Sequence, residues 1–244
     1  MMNLLRWPTD RMRRRQIEEL ADIDPREVPL YWLSEVALFT GVPASTLKRW
    51  VGQISASEAV IQPPPDEYQQ QSREARLSFS NLLEAHVLDA ARKRDIPIVR
   101  MRRGLDYLRE QIGPEPHPLL SHEFYAVKGI RDVFVRTLEE GNGAGTPLNI
   151  SRQGQLALSD VLDEHMKRIE WDRTGPVRLL PVRSEHVVID LHVSGGKPVI
   201  KGTGISAVVL AGRWRAGDSV DDLARGYRLP INDVREAIRY IDAA

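Results

Sequence analysis

The sequence predicts a mainly α protein, with two helix-turn-helix (winged-helix-like) domains joined by a small α+β connector. Three observations carry that expectation. Residues 31–52, YWLSEVALFTGVPASTLKRWVG, put Leu33, Val36 and Ala37 on one helical face, break at Gly41, and resume after Pro43 with Leu47 and Trp50 inward. The C-terminal stretch repeats the arrangement: Ala224 and Val234 are ten residues apart, as are Ala37 and Leu47, which aligns Arg228 with Gly41. Between the two, short strand-like runs surround a single amphipathic helix. The resulting division is a basic arm and linker at 1–29, a first helix-turn-helix domain at 30–113, the connector at 114–184 and a second helix-turn-helix domain at 185–244.

Composition narrows the function. The 244 residues carry 34 basic and 34 acidic side chains, so any nucleic-acid contact must rest on a local basic surface rather than a global field. Cysteine is absent, which excludes disulfides, thiolate zinc sites and redox thiols. No apolar run approaches the roughly 20 residues of a membrane span. The N-terminal arginines are followed by no signal-like apolar core, and a soluble, cytoplasmic protein is expected.

Within the arm, Arg11, Arg13, Arg14 and Arg15 form either a solvated face or a contact for phosphates or a partner's acidic site. In the first helix-turn-helix, Ser45, Thr46, Lys48 and Arg49 fall on or near the outward side of the second helix, and no acid interrupts 44–51. Hydroxyls and cations so placed suit phosphates and base edges, and the same helix also suits an ordinary packing unit with a solvated face. A polar loop at 53–71, with Pro63, Pro64 and Pro65, has the length of a wing or linker.

Two helices follow, on Phe79, Leu82, Leu83, His86, Val87 and Ala90, then on Ile98, Met101, Leu105 and Leu108. Seven basic residues against two acids lie between Arg92 and Arg109, among them Arg100, Arg102 and Arg103. That excess offers phosphate contacts or a solvated basic helix. The string LSFSNLLEAHVLDAARKRDIPIVRMRRGLDYL resembles the continuation of MerR-type winged-helix domains. The DNA-binding candidates are therefore Ser45, Thr46, Lys48, Arg49, Arg100, Arg102 and Arg103.

In the connector, strands are expected at 124–127, 133–135 and 149–151, then a helix on Leu158, Val161, Leu162, His165, Met166 and Ile169, then strand-like runs at Trp171 and 177–182. His86 reads as a core histidine and His117, between two prolines, as a loop residue. The histidines lack metal-ligand spacing, so no metal or cofactor is expected. Asp160, Asp163, Glu164, Asp221 and Asp222 fall on exposed helix faces, outside any apolar setting that would shift a carboxyl for catalysis. No catalytic residue is assigned.

The C-terminal segment opens with HVVIDL and the turn Gly195-Gly196-Lys197-Pro198. Helices are predicted at 205–216, 219–227 and 231–241, the second capped by Ser219. Its run Gly196-Lys197-Pro198-Val199-Ile200, Gly202-Thr203, Ile205, then Ala216-Gly217-Asp218-Ser219-Val220 and Asp233-Val234, Ala237-Ile238, Tyr240 resembles VapB-type antitoxins of a small helix-turn-helix family formerly of unknown function. Gly204 stands where that family usually has arginine.

The resemblance implies a type II antitoxin that binds and neutralises a PIN-domain (VapC-type) ribonuclease encoded nearby, and represses its own operon by binding operator DNA as a homodimer. A PIN toxin's acidic Mg²⁺ site would accept an inserted arginine. The chain ends four residues after Tyr240, so the blocking segment is expected in the basic arm, the connector or the helix end at Arg213 and Arg215. Those two arginines also suit a helix C-terminus electrostatically. The alternative is a stand-alone MerR-like transcriptional regulator whose C-terminal half senses a ligand or dimerises. The C-terminal recognition helix mixes Asp233, Arg235, Glu236 and Arg239, so the N-terminal unit is expected to read DNA.

Overall fold

The computed structural model describes residues 24–54, 59–65, 76–113, 115–121, 124 and 160–242. These are mainly helical, with two small antiparallel sheets. Helix α1 (Leu33–Thr40) starts where the Glu35 carboxylate accepts the Trp32 N–H at 2.9 Å. It ends at Gly41, whose φ of 77° is a left-handed cap open to glycine, with its N–H donating to the Ala37 carbonyl. Helix α2 (Ala44–Trp50) then turns Leu47 and Trp50 inward.

Strand β1 (Tyr31–Trp32) pairs antiparallel with β2 (Arg76–Leu77), returning the chain to this helix pair. The loop expected as a wing forms no strand among its described residues. Val60 and Ile61 instead donate to the Trp50 carbonyl, at 2.7 and 3.0 Å.

Helix α3 (Phe79–Arg92) begins with a reciprocal cap: Ser78 Oγ accepts the Asn81 N–H and Asn81 Oδ1 accepts the Ser78 N–H. Its apolar stripe alone predicts one buried face, yet every residue from Phe79 to Ala91 is buried. Partners make that tolerable. Asn81 donates to the Gln62 carbonyl, Glu84 meets His117, His86 Nε2–H donates to the His165 carbonyl, and Asp89 pairs with Arg92 and Lys93. Helix α4 (Ile98–Ile112) follows, burying Met101, Leu105 and Leu108.

Phe124, expected to open a strand, is helical; its N–H donates to Ser121 Oγ at 3.1 Å, which starts a turn there. The other strand expectations before residue 160, and the arginines of the arm, lie outside the described residues. Helix α5 (residues 160–166) forms, but Ile169 leaves the predicted helix and pairs with Leu179 in a sheet. That sheet runs β3 (Ile169–Asp172), β4 (Gly175–Leu179), β5 (Val187–Asp190), β6 (Pro198–Ile200), each antiparallel to the next. Across it Arg178 bridges Glu170 at 2.5 Å and Asp190 at 2.6 Å.

Three helices complete the chain: α6 (Ala207–Arg215), α7 (Val220–Tyr227) and α8 (Ile231–Asp242). Ser219 caps α7, accepting the Asp222 N–H at 3.1 Å, and Arg228 ends it in the left-handed region at φ 56°. A single hydrophobic cluster extends from Tyr31 to Ile241. Polar ties reinforce it: Tyr31 Oη donates to the Gly196 carbonyl at 2.8 Å, and Lys197 pairs with Glu35 at 2.7 Å. Gly196 has φ 74°, and a Cβ there would collide with the Tyr31 hydroxyl, so only glycine fits.

Candidate nucleic-acid interface

Burying Leu47 and Trp50 fixes which way α2 faces. Ser45, Lys48 and Arg49 are exposed and Thr46 is half-buried. Thr46, Arg49 and Trp50 line one side of a shallow groove of about 270 Å³; Arg92, Asp95, Ile96, Pro97, Ile98 and Met101 line the other. The outer edge of α2 thus meets the start of α4. All three α4 candidates, Arg100, Arg102 and Arg103, lie within two residues of Met101 in that groove wall; Arg100 and Arg102 are half-buried and Arg103 is exposed.

Not every cation in this region faces outward. Arg102 lies against the Ala59 carbonyl at 3.4 Å. Asp89 engages Arg92 at 2.6 Å and Lys93 at 2.9 Å, and Asp106 engages Arg109 at 3.2 Å. Asp95, in the groove, holds a left-handed backbone at φ 54°. The local basic excess is therefore smaller at the surface than along the sequence.

The second helix pair, α7 and α8, repeats the cap of the first. Arg228 N–H bonds back within α7 as Gly41 N–H does within α1. On α8, Asn232, Arg235 and Arg239 are exposed. Its carboxylates are occupied: Asp233 meets His186 Nδ1 at 2.8 Å and Glu236 pairs with Arg239 at 2.7 Å. Arg213 and Arg215, at the end of α6, are roughly half exposed; the first pairs with Asp218 at 2.6 Å and lies over the Tyr227 ring, and the second pairs with Asp242.

One constellation gave no signal along the chain. His117 is not a plain loop residue: its Nε2 meets Glu27 at 2.7 Å and its Nδ1 meets Glu84 at 2.9 Å. Burial opposes its charge, but the hydrogen bonds and charges of Glu27 and Glu84 win, and its pKa is pushed up to about 10. Glu27, itself opposed by burial, is held below its ordinary range by His117 and Ser80. His117, Glu27 and Ser80 line a cleft of about 690 Å³, whose far side is formed by Trp171–Pro176 of the β3–β4 hairpin. An imidazolium so fixed anchors three segments and is no neutral base at ordinary pH.

His86 is the buried histidine expected. Burial, then the neighbouring His165, pushes its pKa down to about 3, and its neutral ring stacks 4.9 Å from that of His165. Among the described residues no cluster of His, Asp or Glu could hold a metal ion, and no helix is long and apolar enough to cross a membrane.

The paired helices place several cations at the surface, and among the proteins similar to this chain is one named as an antitoxin. Residues 187–241 match the family described as "Protein of unknown function (DUF433)". Over 238 residues the chain is 28% identical to the "Putative antitoxin VapB45" of Mycobacterium tuberculosis (strain ATCC 25618 / H37Rv), covering 89% of this chain and 95% of that relative. It is also 28% identical over 229 residues to the "Uncharacterized protein Rv2308" of the same strain, covering 88% and 90%. The crystal structure of Rv2018 from M. tuberculosis superimposes with a TM-score of 0.64 at 25% identity, covering 86% of this chain and 98% of that one.

Proposed function

We propose that this protein is the antitoxin of a type II toxin–antitoxin pair in the cytoplasm. It binds and neutralises a PIN-domain (VapC-type) ribonuclease encoded nearby, and represses its own operon as a DNA-binding homodimer. The observation that carries the reading is the extent of its similarity to VapB45, which spans 89% of the chain and so reaches well beyond the C-terminal family match. In this reading 30–113 and 185–244 act as helix-turn-helix domains. The exposed Ser45, Lys48 and Arg49 and the half-buried Thr46, with Arg100, Arg102 and Arg103 beside them, serve operator DNA. No residue is given a catalytic role.

The test is co-expression with the adjacent reading frame. A stoichiometric complex in which the neighbour's ribonuclease activity is suppressed supports the antitoxin. A neighbour that neither binds nor cleaves RNA removes it. The cleft lined by Arg26, Glu27, His117 and Trp171 favours a second reading, a MerR-like regulator whose effector binds beside the N-terminal unit. Operator binding altered by a small molecule, with no toxin complex, would select that reading instead.

A further inference from the structure

Helix α2, the second helix of the N-terminal pair, has seven residues and no side-chain cap at its start. So short a helix does not hold itself. Its position comes from the burial of Leu47 and Trp50 and from the turn that leads into it. That turn is set at the end of α1. Gly41 is left-handed, and Thr40 Oγ donates to the Val36 carbonyl while accepting the Val42 N–H at 3.2 Å. The last four carbonyls of a helix have no donor within it, and the Gly41 N–H serves only that of Ala37. Two of the others are met from far along the chain: Tyr240 Oη donates to the Phe39 carbonyl at 2.8 Å, and Arg183 Nη1 to that of Leu38 at 3.3 Å. Arg183 also lies against the turn itself, its Cδ 3.1 Å from where a Cβ on Gly41 would stand.

Both donors are tied to α8. Tyr240 is in its last turn. Arg183 belongs to the loop between β4 and β5, whose Pro181 carbonyl accepts Arg168 Nη1 and the Ser184 N–H, each at 3.3 Å. The loop then reaches His186, whose N–H donates to Ser184 Oγ at 3.1 Å and whose Nδ1 meets Asp233, in the first turn of α8, at 2.8 Å. One helix thus reaches the end of α1 from both of its own ends. We propose that Arg183 and Tyr240 are positioning residues, through which the C-terminal unit sets where α2 stands. Both act on the backbone at the hinge between α1 and α2, and the Arg183 guanidinium faces the negative end of the α1 dipole. A supporting contact at a hinge fixes the direction of the element beyond it. Only the consequence for DNA rests on the reading of α2 as an operator-binding helix.

The test uses the full chain as wild type, Arg183→Gln, Arg183→Lys and Tyr240→Phe, each checked for folding by circular dichroism. Tyr240→Phe probes the second contact should Arg183→Gln fail to fold. Two measurements are made: deuterium exchange of the amides at 44–51, and anisotropy across a salt series with a duplex from upstream of the protein's own reading frame and with a scrambled duplex. Arg183→Gln and Tyr240→Phe are each expected to speed exchange at 44–51 about tenfold while α3 is unchanged, and to weaken the upstream duplex about tenfold. Binding of the scrambled duplex and the salt slope stay as in wild type, and Arg183→Lys restores most of the loss. Exchange at 44–51 that stays at the wild-type rate, or that rises equally in α3, overturns the proposal. So does a salt slope lowered by about one in Arg183→Gln, which makes Arg183 a direct phosphate contact. If exchange responds but wild type binds both duplexes alike, the positioning role stands and the DNA reading of α2 falls. If wild type prefers the upstream duplex and the variants bind it equally well, the positioning role falls and that reading stands.

Discussion

The phenol of Tyr240, buried in the last helix, donates a 2.8 Å hydrogen bond to the carbonyl oxygen of Phe39, 201 residues earlier at the end of α1. Arg183 donates to the neighbouring Leu38 carbonyl at 3.3 Å. The two helix pairs therefore share a wall, and the carbonyls at the end of α1 depend on the C-terminal segment. Tyr240→Phe is expected to lower stability by about 1–2 kcal/mol, because it leaves a buried acceptor unmet, and Tyr240→Ala by about 3–5 kcal/mol. Urea unfolding should remain a single transition in both. Separate transitions for the two halves would show that the shared wall does not couple them.

Gly41 and Arg228 occupy equivalent caps at φ 77° and 56°, but only the first is glycine. Arg228 bears the cost of a side chain in the left-handed region. Arg228→Gly is expected to stabilise the protein by about 0.5–1 kcal/mol. Gly41→Ala is expected to destabilise it by at least as much, since its Cβ also presses on Arg183 at 3.1 Å. Thermal melts of the two variants moving in the same direction would contradict the equivalence.

The turn at Gly41 was legible because glycine marks a left-handed residue, and the ten-residue intervals Ala37–Leu47 and Ala224–Val234 aligned Arg228 with it; the left-handed backbone of Arg228 itself left no mark in the sequence. Helices α6 to α8 were legible from periodicity and from Ser219. What stayed hidden depends on distant partners. Glu84 and Asp89 fall outside the apolar stripe of α3, and their burial is made tolerable by His117, Arg92 and Lys93. Ile169 fits a helical stripe, but its pairing with Leu179 comes from a strand ten residues on. The outward cations of α2 could be named in advance. That several arginines beside them are engaged by Asp89, Asp106 and Ala59 could not.

Lys48 and Arg49 lie on the exposed side of α2, where phosphate contacts are expected. Lys48→Ala with Arg49→Ala is predicted to weaken operator binding by roughly tenfold at moderate salt and to reduce the salt slope by about two. Arg213→Gln, on α6, should leave both unchanged. Fluorescence anisotropy across a salt series checks this. An unchanged slope in the double variant would place the phosphate contacts elsewhere, with exposed Arg235 and Arg239 of α8 next in line.

Two histidines give the stability profile opposite limbs. His117 keeps its proton in the folded protein up to about 10, against an ordinary value of 6.5. The contribution of the Glu27–His117–Glu84 bridge is therefore complete below about 6.5 and declines as pH rises towards 10, where the unfolded chain has already released the proton. His86 is the reverse. Its folded pKa lies near 3, so stability falls as pH drops from 6.5 towards 3, because the unfolded chain takes up a proton that the buried ring refuses. His117→Gln is expected to cost about 3 kcal/mol at neutral pH, since Glu84 is then buried without its counter-charge, and to flatten the alkaline limb while leaving the acid limb intact. Urea midpoints from pH 4 to 10 read both limbs. An alkaline decline that survives His117→Gln unchanged would assign that limb to another group.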